Sequence, residues 1–236
     1  MRMAALLLLA AVGCDLPGRP DPAARPVRPS DVRDARLLYA ENCAGCHGDE
    51  RGPGAAVALA DPVYLAIVDD ATLLRVTAEG IEGTLMPAFA QRAGGPLTDE
   101  QVTLLVADIR RRWSRPDALG GATPPPYAAT PAHLGPTPDM QARGAKVYAT
   151  WCASCHGPGG RGGSIVDGSY LGLVSDQSVR TAVIVGRPRL GMPDWRALVP
   201  GRPMSAQDTD DVVAWLVAQR PALPGQPYPM EAKHDG

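Results

Sequence analysis

The chain has 236 residues, a formal net charge of −2, 45% hydrophobic residues and only 5% aromatics. Near-zero charge excludes a strongly basic nucleic-acid binder, because neutralising phosphates takes a clustered excess of Lys and Arg. A single Phe is thin for a core that must close unaided, and 26 Gly with 25 Pro imply sizeable irregular stretches. The length suits one or two small domains that borrow apolar bulk from elsewhere.

The first residues read as a targeting segment. Arg2 precedes an apolar run from Met3 to Val12. That run falls short of the ~20 residues a helix needs to cross a bilayer, but it suits the core of a secretory signal peptide. Ala11-Val12-Gly13-Cys14 resembles a bacterial lipobox. The resemblance implies that residues 1–13 are cleaved off and that Cys14 carries lipid, which holds the mature chain on a membrane without spanning it. An ordinary signal peptide with a bystander Cys14 is the alternative. Residues 14–30 then form a Pro-rich tether, a composition that extends rather than packs.

The remainder is a repeat. Tyr39 to Gly48, containing Cys43-Ala44-Gly45-Cys46-His47, matches Tyr148 to Gly157, containing Cys152-Ala153-Ser154-Cys155-His156, at an offset of 109. Further on, Asp61, Tyr64, Leu65, Val68, Asp70, Gly80, Met86 and Pro87 match Asp167, Tyr170, Leu171, Val174, Asp176, Gly186, Met192 and Pro193, every pair offset by 106. An internal duplication accounts for both offsets, with three residues of loop difference between them. Two domains follow, 31–115 and 139–220, joined by a Pro/Gly-rich linker at 116–138 and followed by a tail at 221–236. The sequence does not choose between domains that pack together and domains that move independently.

Both halves read as helical. Helices are predicted over 31–40 and 139–149, leading into the Cys motifs. Two more cover 70–79 and 176–185, each stopped by a glycine, Gly80 or Gly186. Thr98 and Gln101 form a capping box for a helix to Trp113, and Ser205 opens its counterpart running to Arg220. In that last helix Val212, Val213, Leu216 and Val217 make an apolar stripe beside Trp215. The cations Arg110, Arg111 and Arg112 suit a helix C-terminus, and Asp208, Asp210 and Asp211 suit a helix start. No run of alternating strands appears, so the fold class is all-α.

The two Cys-x-x-Cys-His motifs carry the chemistry. Cys43 with Cys46, and Cys152 with Cys155, are spaced to form thioether bonds to the two vinyl groups of one haem each. His47 and His156 then supply an axial imidazole to iron. A thioredoxin-like site would need a βαβ setting, and a zinc site two CxxC pairs about 15–20 residues apart. The reading is two covalently attached haem c groups, whose apolar bulk also closes the small cores.

Met86 and Met192 are the candidate sixth ligands. Each follows a glycine by six residues and precedes a proline, in a loop where no helix dictates its direction. Met204 aligns with Leu97 just before a helix N-cap and reads as a core residue instead. The only other histidines, His133 and His234, lie in the linker and the tail.

With these motifs in place, each half resembles a class I cytochrome c domain, and the whole resembles a dihaem cytochrome c built from two in tandem. The resemblance implies helices wrapped around each haem, with the first and last helices crossing. It places Gly144 against Trp215 at that crossing, whereas Ala35 and Asp108 stand there in the first half, so that contact must be built differently. It also implies a backbone carbonyl on the ring N–H of each haem histidine, from Pro53 in the first half and from the Gly163 position in the second.

Function follows from the ligands. With His and Met both bound, iron has no open position and passes single electrons. The expected protein is an electron carrier rather than an enzyme, periplasmic or otherwise extracytoplasmic and anchored through Cys14. Its partners would be a redox donor and acceptor, such as membrane-bound respiratory or photosynthetic complexes, either as a free carrier or as a fixed subunit. A dihaem oxidoreductase acting on a small molecule such as thiosulfate or peroxide is the alternative, and it requires one labile methionine.

Overall fold

A computed structural model describes residues 26–128 and 137–221. The residues read as a targeting segment, with Cys14, most of the tether, His133 and His234 lie outside the described residues. Among those described, the chain is helical, and its only β-type pairings are isolated bridges. None of the helices among the described residues is long and apolar enough to cross a membrane.

The first half contains α1 (Ala35–Asn42), α2 (Ala44–His47), α3 (Pro62–Ile67), α4 (Asp70–Glu79) and α5 (Asp99–Trp113). The second contains α6 (Pro138–Val147), a π-helical turn (Tyr148–Cys152), α7 (Ala153–His156), α8 (Gly168–Leu173), α9 (Asp176–Val185) and α10 (Ala206–Val217). The first helix starts later than residue 31. Asp34 caps it by accepting from the backbone N–H groups of Arg36 and Leu37, while Pro29–Asp31 form a separate 3-10 turn. Buried Gln101 pins that turn to the head of α5, its Nε2 donating to Pro29 O at 2.7 Å and Val32 O at 3.1 Å.

The helices α4 and α9 span the expected residues, and both capping boxes, Thr98 with Gln101 and Ser205 with Asp208, are formed. Helix α10 ends at Val217 and continues as a turn to Arg220. The short helices α3 and α8 are additions to the expected set. Asp61 and Asp167 start them, each accepting two backbone N–H bonds, the N-cap role for which Asp is well suited.

In each half the N-terminal helix crosses the C-terminal one. In the second half Gly144 permits the close approach: a Cβ there would run into Asp211 O and come within 2.5 Å of Trp215 Cβ. Arg143 spans the same crossing to buried Asp211, at 2.7 and 2.9 Å. The first half uses other residues. Tyr39 meets Trp113 edge to face at 5.0 Å, and the Arg112 guanidinium lies 4.2 Å from the Trp113 ring centre while pairing with buried Asp108. The tyrosine, tryptophan and arginine replace the glycine contact with a layered stack.

The described part of the linker is docked on both halves. Pro126 O accepts from Nε of fully buried Arg180 at 2.8 Å, and Tyr127 O accepts from Gln177 at 2.8 Å. Across the linker, the Tyr127 ring stands edge to face with Tyr64 at 6.4 Å. Pro and Gly make this segment irregular, yet its carbonyls find donors in α9, as buried backbone must.

Two candidate haem-attachment sites

Each Cys motif forms a single helical turn, α2 or α7, with Cys43 or Cys152 as its N-cap and Cys46 or Cys155 three residues further along it. Cys43 and Cys152 are buried, whereas Cys46 and Cys155 are exposed, and none of the four is in a disulfide. Burial pushes the Cys43 and Cys152 thiols up to about 11, with the neighbouring Cys46 and Cys155 adding to the effect. A tyrosine secures the far end of each turn: Tyr39 donates to Gly48 O at 2.6 Å, and Tyr148 to His156 O at 3.0 Å.

The histidine rings are oriented alike. His47 Nδ1 lies 2.7 Å from Val57 O, and His156 Nδ1 lies 2.8 Å from Gly163 O. A carbonyl can only accept, so Nδ1 carries the proton and Nε2 keeps a lone pair. His47 Nε2 is buried and has no hydrogen-bond partner. Burial also lowers the His47 pKa, against the opposing bond to Val57, and so favours the neutral, ligating imidazole.

Val57 replaces Pro53 as the expected carbonyl in the first half. Pro53 pairs with Gly48, while Asp49 N donates to Gly52 O and Ala56 N to Cys46 O, folding the loop so that the next residue reaches the ring. Val57 and Gly163 are themselves 106 apart, so the loop difference between the repeats is already absorbed at that point. Gly163 fills the role in the second half, where a side chain at Gly162 would press within 2.7 Å of the His156 ring.

The methionine loops are seated on two glycines. Gly80 has φ +72° and Gly186 φ +68°, a region that side-chain-bearing residues rarely adopt. A Cβ on Gly80 would lie 2.6–2.7 Å from the backbone of Met86, Pro87 and Ala88, and one on Gly186 would meet Met192 and Pro193 in the same way. Ile81 N donates to Met86 O at 3.0 Å, and Arg187 N to Met192 O at 2.7 Å. Met86 and Met192 are half-buried. Met204 is instead fully buried, its N–H donating to Trp195 O at 2.9 Å as Leu97 N donates to Phe89 O at 2.8 Å, so both are core residues.

These residues fit a c-type haem in each half: paired thiols on one turn, an imidazole locked in the ligating tautomer, and a methionine loop held by a glycine. A cavity of about 430 Å³ lies elsewhere, between the halves, among Pro53, Ala58, Asp61, Arg187, Leu190 and Arg196. None of the cysteine, histidine or methionine candidates lines it. Sequence reasoning missed Val57 and the roles of Arg110 and Arg220. Only the repeat register carried a signal for Val57.

The fold and the paired sites define a dihaem cytochrome c. It is an all-α chain of two tandem cytochrome c domains, each with the attachment motif for one c-type haem. The chain belongs to the family described as cytochrome c oxidase, cbb3-type, subunit III, whose model matches it twice, at residues 30–107 and 139–216. It is similar to the cytochrome bc1 complex cytochrome c subunit of Corynebacterium diphtheriae, with 23% identity over 78% of this chain and 65% of that protein. The protein of the same name from Mycobacterium tuberculosis is 24% identical over 82% of this chain and 66% of its own length. The chain thus spans just under two thirds of the curated relatives it matches. A solved chain of the Kuenenia stuttgartiensis reducing HAO-like protein complex covers 84% of this chain at a TM-score of 0.46 and 19% identity.

Proposed function

We propose that this chain carries electrons for a membrane-bound respiratory complex, on the outer side of the cytoplasmic membrane, through two six-coordinate haems. Cys43 and Cys46 would hold one haem by thioether bonds and Cys152 and Cys155 the other. His47 and His156 would supply imidazole nitrogens to the irons, and Met86 and Met192 thioether sulfurs. When bound, each haem supplies a one-electron iron couple whose potential a thioether ligand raises. Val57 and Gly163 orient the imidazoles and strengthen them as ligands. Gly80 and Gly186 seat the Met-Pro segments, leaving neither iron a position for substrate. Carrier chemistry is favoured over small-molecule catalysis for that reason.

The observation that carries the reading is that both halves build the same arrangement independently: an imidazole with Nδ1 on a backbone carbonyl and a methionine loop closed over a left-handed glycine. The bc1-complex names of the relatives support a respiratory partner. The lipobox-like Ala11–Cys14 segment supports anchoring through Cys14 outside the cytoplasm.

The test is a pair of single variants of the holoprotein, Met86→Ala and Met192→Ala. Each should keep two haems per chain, lose about half of the far-red methionine-to-iron absorption band, and open one haem to carbon monoxide. An unchanged band in either variant removes that methionine from the ligand set. For the partner, a bc1-type complex should reduce the purified protein directly. Reduction no faster than that of an unrelated cytochrome c would count against the respiratory assignment.

A further inference from the structure

The two halves differ most tellingly in the methionine loop. Ile81 and Gly83 of the first half correspond to Arg187 and Arg189 of the second, both at the 106-residue offset. In the second half the loop is closed on itself: Arg187 N donates to Met192 O at 2.7 Å and Met192 N to Arg187 O at 3.2 Å. The side chains then leave their own domain. Arg187 Nη2 donates to Gly54 O and to Ala56 O, the latter at 3.2 Å. Arg189 donates to Asp49 O at 2.7 Å and to Glu50 O at 3.0 Å.

All four acceptors belong to the loop that follows Cys46-His47. Ala56 N donates to Cys46 O at 2.9 Å, and the next residue, Val57, accepts the ring proton of His47 at 2.7 Å. One guanidinium therefore joins the backbone that carries Met192 to the loop that orients His47. Arg189 forks across its two carbonyls with Nη1 and Nη2, while Arg187 reaches both of its carbonyls through Nη2; all the acceptors are carbonyls, so no carboxylate partner is required. Arg187 and Arg189 also line the cavity of about 430 Å³ between the halves.

We propose that Arg187 and Arg189 are positioning residues for electron transfer between the two haems of one molecule, fastening the Met192 loop of the second domain to the His47 loop of the first. In the step they serve, one electron leaves the ferrous iron of one domain, oxidising it to ferric. The electron reduces the ferric iron of the other domain, with no proton or bond exchanged. The inference rests on the haem-ligand reading proposed above.

The test uses the holoprotein with Arg187→Ala and Arg189→Ala combined, beside a variant with lysine at both positions. One-electron reduction by a radiation pulse gives a concentration-independent phase that reports transfer within the molecule. The alanine variant should keep both methionine-to-iron bands, slow this phase by about tenfold or more, and show a larger radius of gyration by small-angle scattering. Lysine should recover the rate only in part, because it lacks the fork. A rate in the alanine variant within about twofold of the parent, or an unchanged radius, overturns the proposal. Absence of a methionine band in the parent would instead sink the ligand reading, while the scattering comparison still decides on the clasp.

Discussion

Arg110 and Arg220 serve the same three kinds of acceptor from positions one helical turn apart in the repeat. Arg110 donates to Leu65 O and Val68 O and pairs with Asp70. Arg220 donates to Leu171 O at 2.9 Å and Val174 O at 2.9 Å, and pairs with Asp176 at 2.8 Å. The acceptors are equivalent, 106 residues apart, but the N-caps Thr98 and Ser205 set a register of 107, in which Arg110 matches Val217 and Arg220 matches Trp113. Helix α5 delivers its arginine from within the helix, and α10 from the turn beyond its end. The duplicated halves preserved the carbonyls that need a donor and let the donor move.

Removing either arginine leaves part-buried carbonyls without that donor. Arg110→Ala should destabilise the first domain, and Arg220→Ala the second, each by about 1–3 kcal/mol. Domain-resolved denaturant unfolding of the holoprotein checks this. A loss shared equally by both domains in either variant would contradict the assignment of one clasp to each.

Gly144 is predicted to be intolerant of any side chain. Gly144→Ala gains helix propensity, but its Cβ must displace the Asp211 backbone and Trp215, neither a flexible chain end. Overpacking of this kind costs about 1–3 kcal/mol, which outweighs the gain. Thermal unfolding should show the second domain melting earlier, with the first unchanged. Ala35→Gly in the first domain should show no matching benefit, since Tyr39, Trp113 and Arg112 build that crossing instead.

The glycines under the methionine loops give a second route to the sixth ligands. Gly80→Ala should push the Met86-Pro87-Ala88 backbone away and weaken the methionine-to-iron band of the first haem alone. Gly186→Ala should do the same to the second. Spectra of the two variants, each compared with the matching methionine variant, test the link. A full-strength band in both would show that these loops do not carry the ligands.

Burial raises the Asp61 carboxyl above its ordinary value, with bonds from Tyr64 and Val63 opposing and nearby Asp194 adding to the rise. The folded state therefore binds this proton more tightly than the unfolded chain. Its contribution to stability is present at low pH and falls as pH rises through the carboxylate range. Asp61→Asn keeps a good helix cap and removes the titration. Its stability relative to the parent should rise between about pH 3 and about pH 7. A flat or falling difference in paired melts would contradict the sign.

Much of this was legible because haem attachment and duplication both leave marks at fixed spacing. The Cys-x-x-Cys-His motifs, the capping boxes at Thr98 and Ser205, and helices 70–79 and 176–185 all depend on local chemistry. Gly144 against Trp215 was accessible through the family resemblance. What the sequence hid depends on chain folding over distance. Val57 reaches His47 only because the intervening loop closes through Ala56 and Cys46. Arg110 reads in the sequence as a helix-end charge and Arg220 as no more than the end of a helix, since nothing local announces a carbonyl forty or more residues away. The later start of α1 reflects the cap at Asp34 and the Gln101 bonds that hold residues 29 and 32 outside the helix.

The central claim is that both irons are closed by a histidine and a methionine, leaving a carrier with no substrate position. A carbon monoxide difference spectrum of the fully reduced holoprotein at neutral pH tests it most directly. The account predicts no spectral change at either haem, because both methionines stay bound. Prompt binding at one haem would contradict it, identify that iron as open, and move the protein toward small-molecule chemistry at that domain.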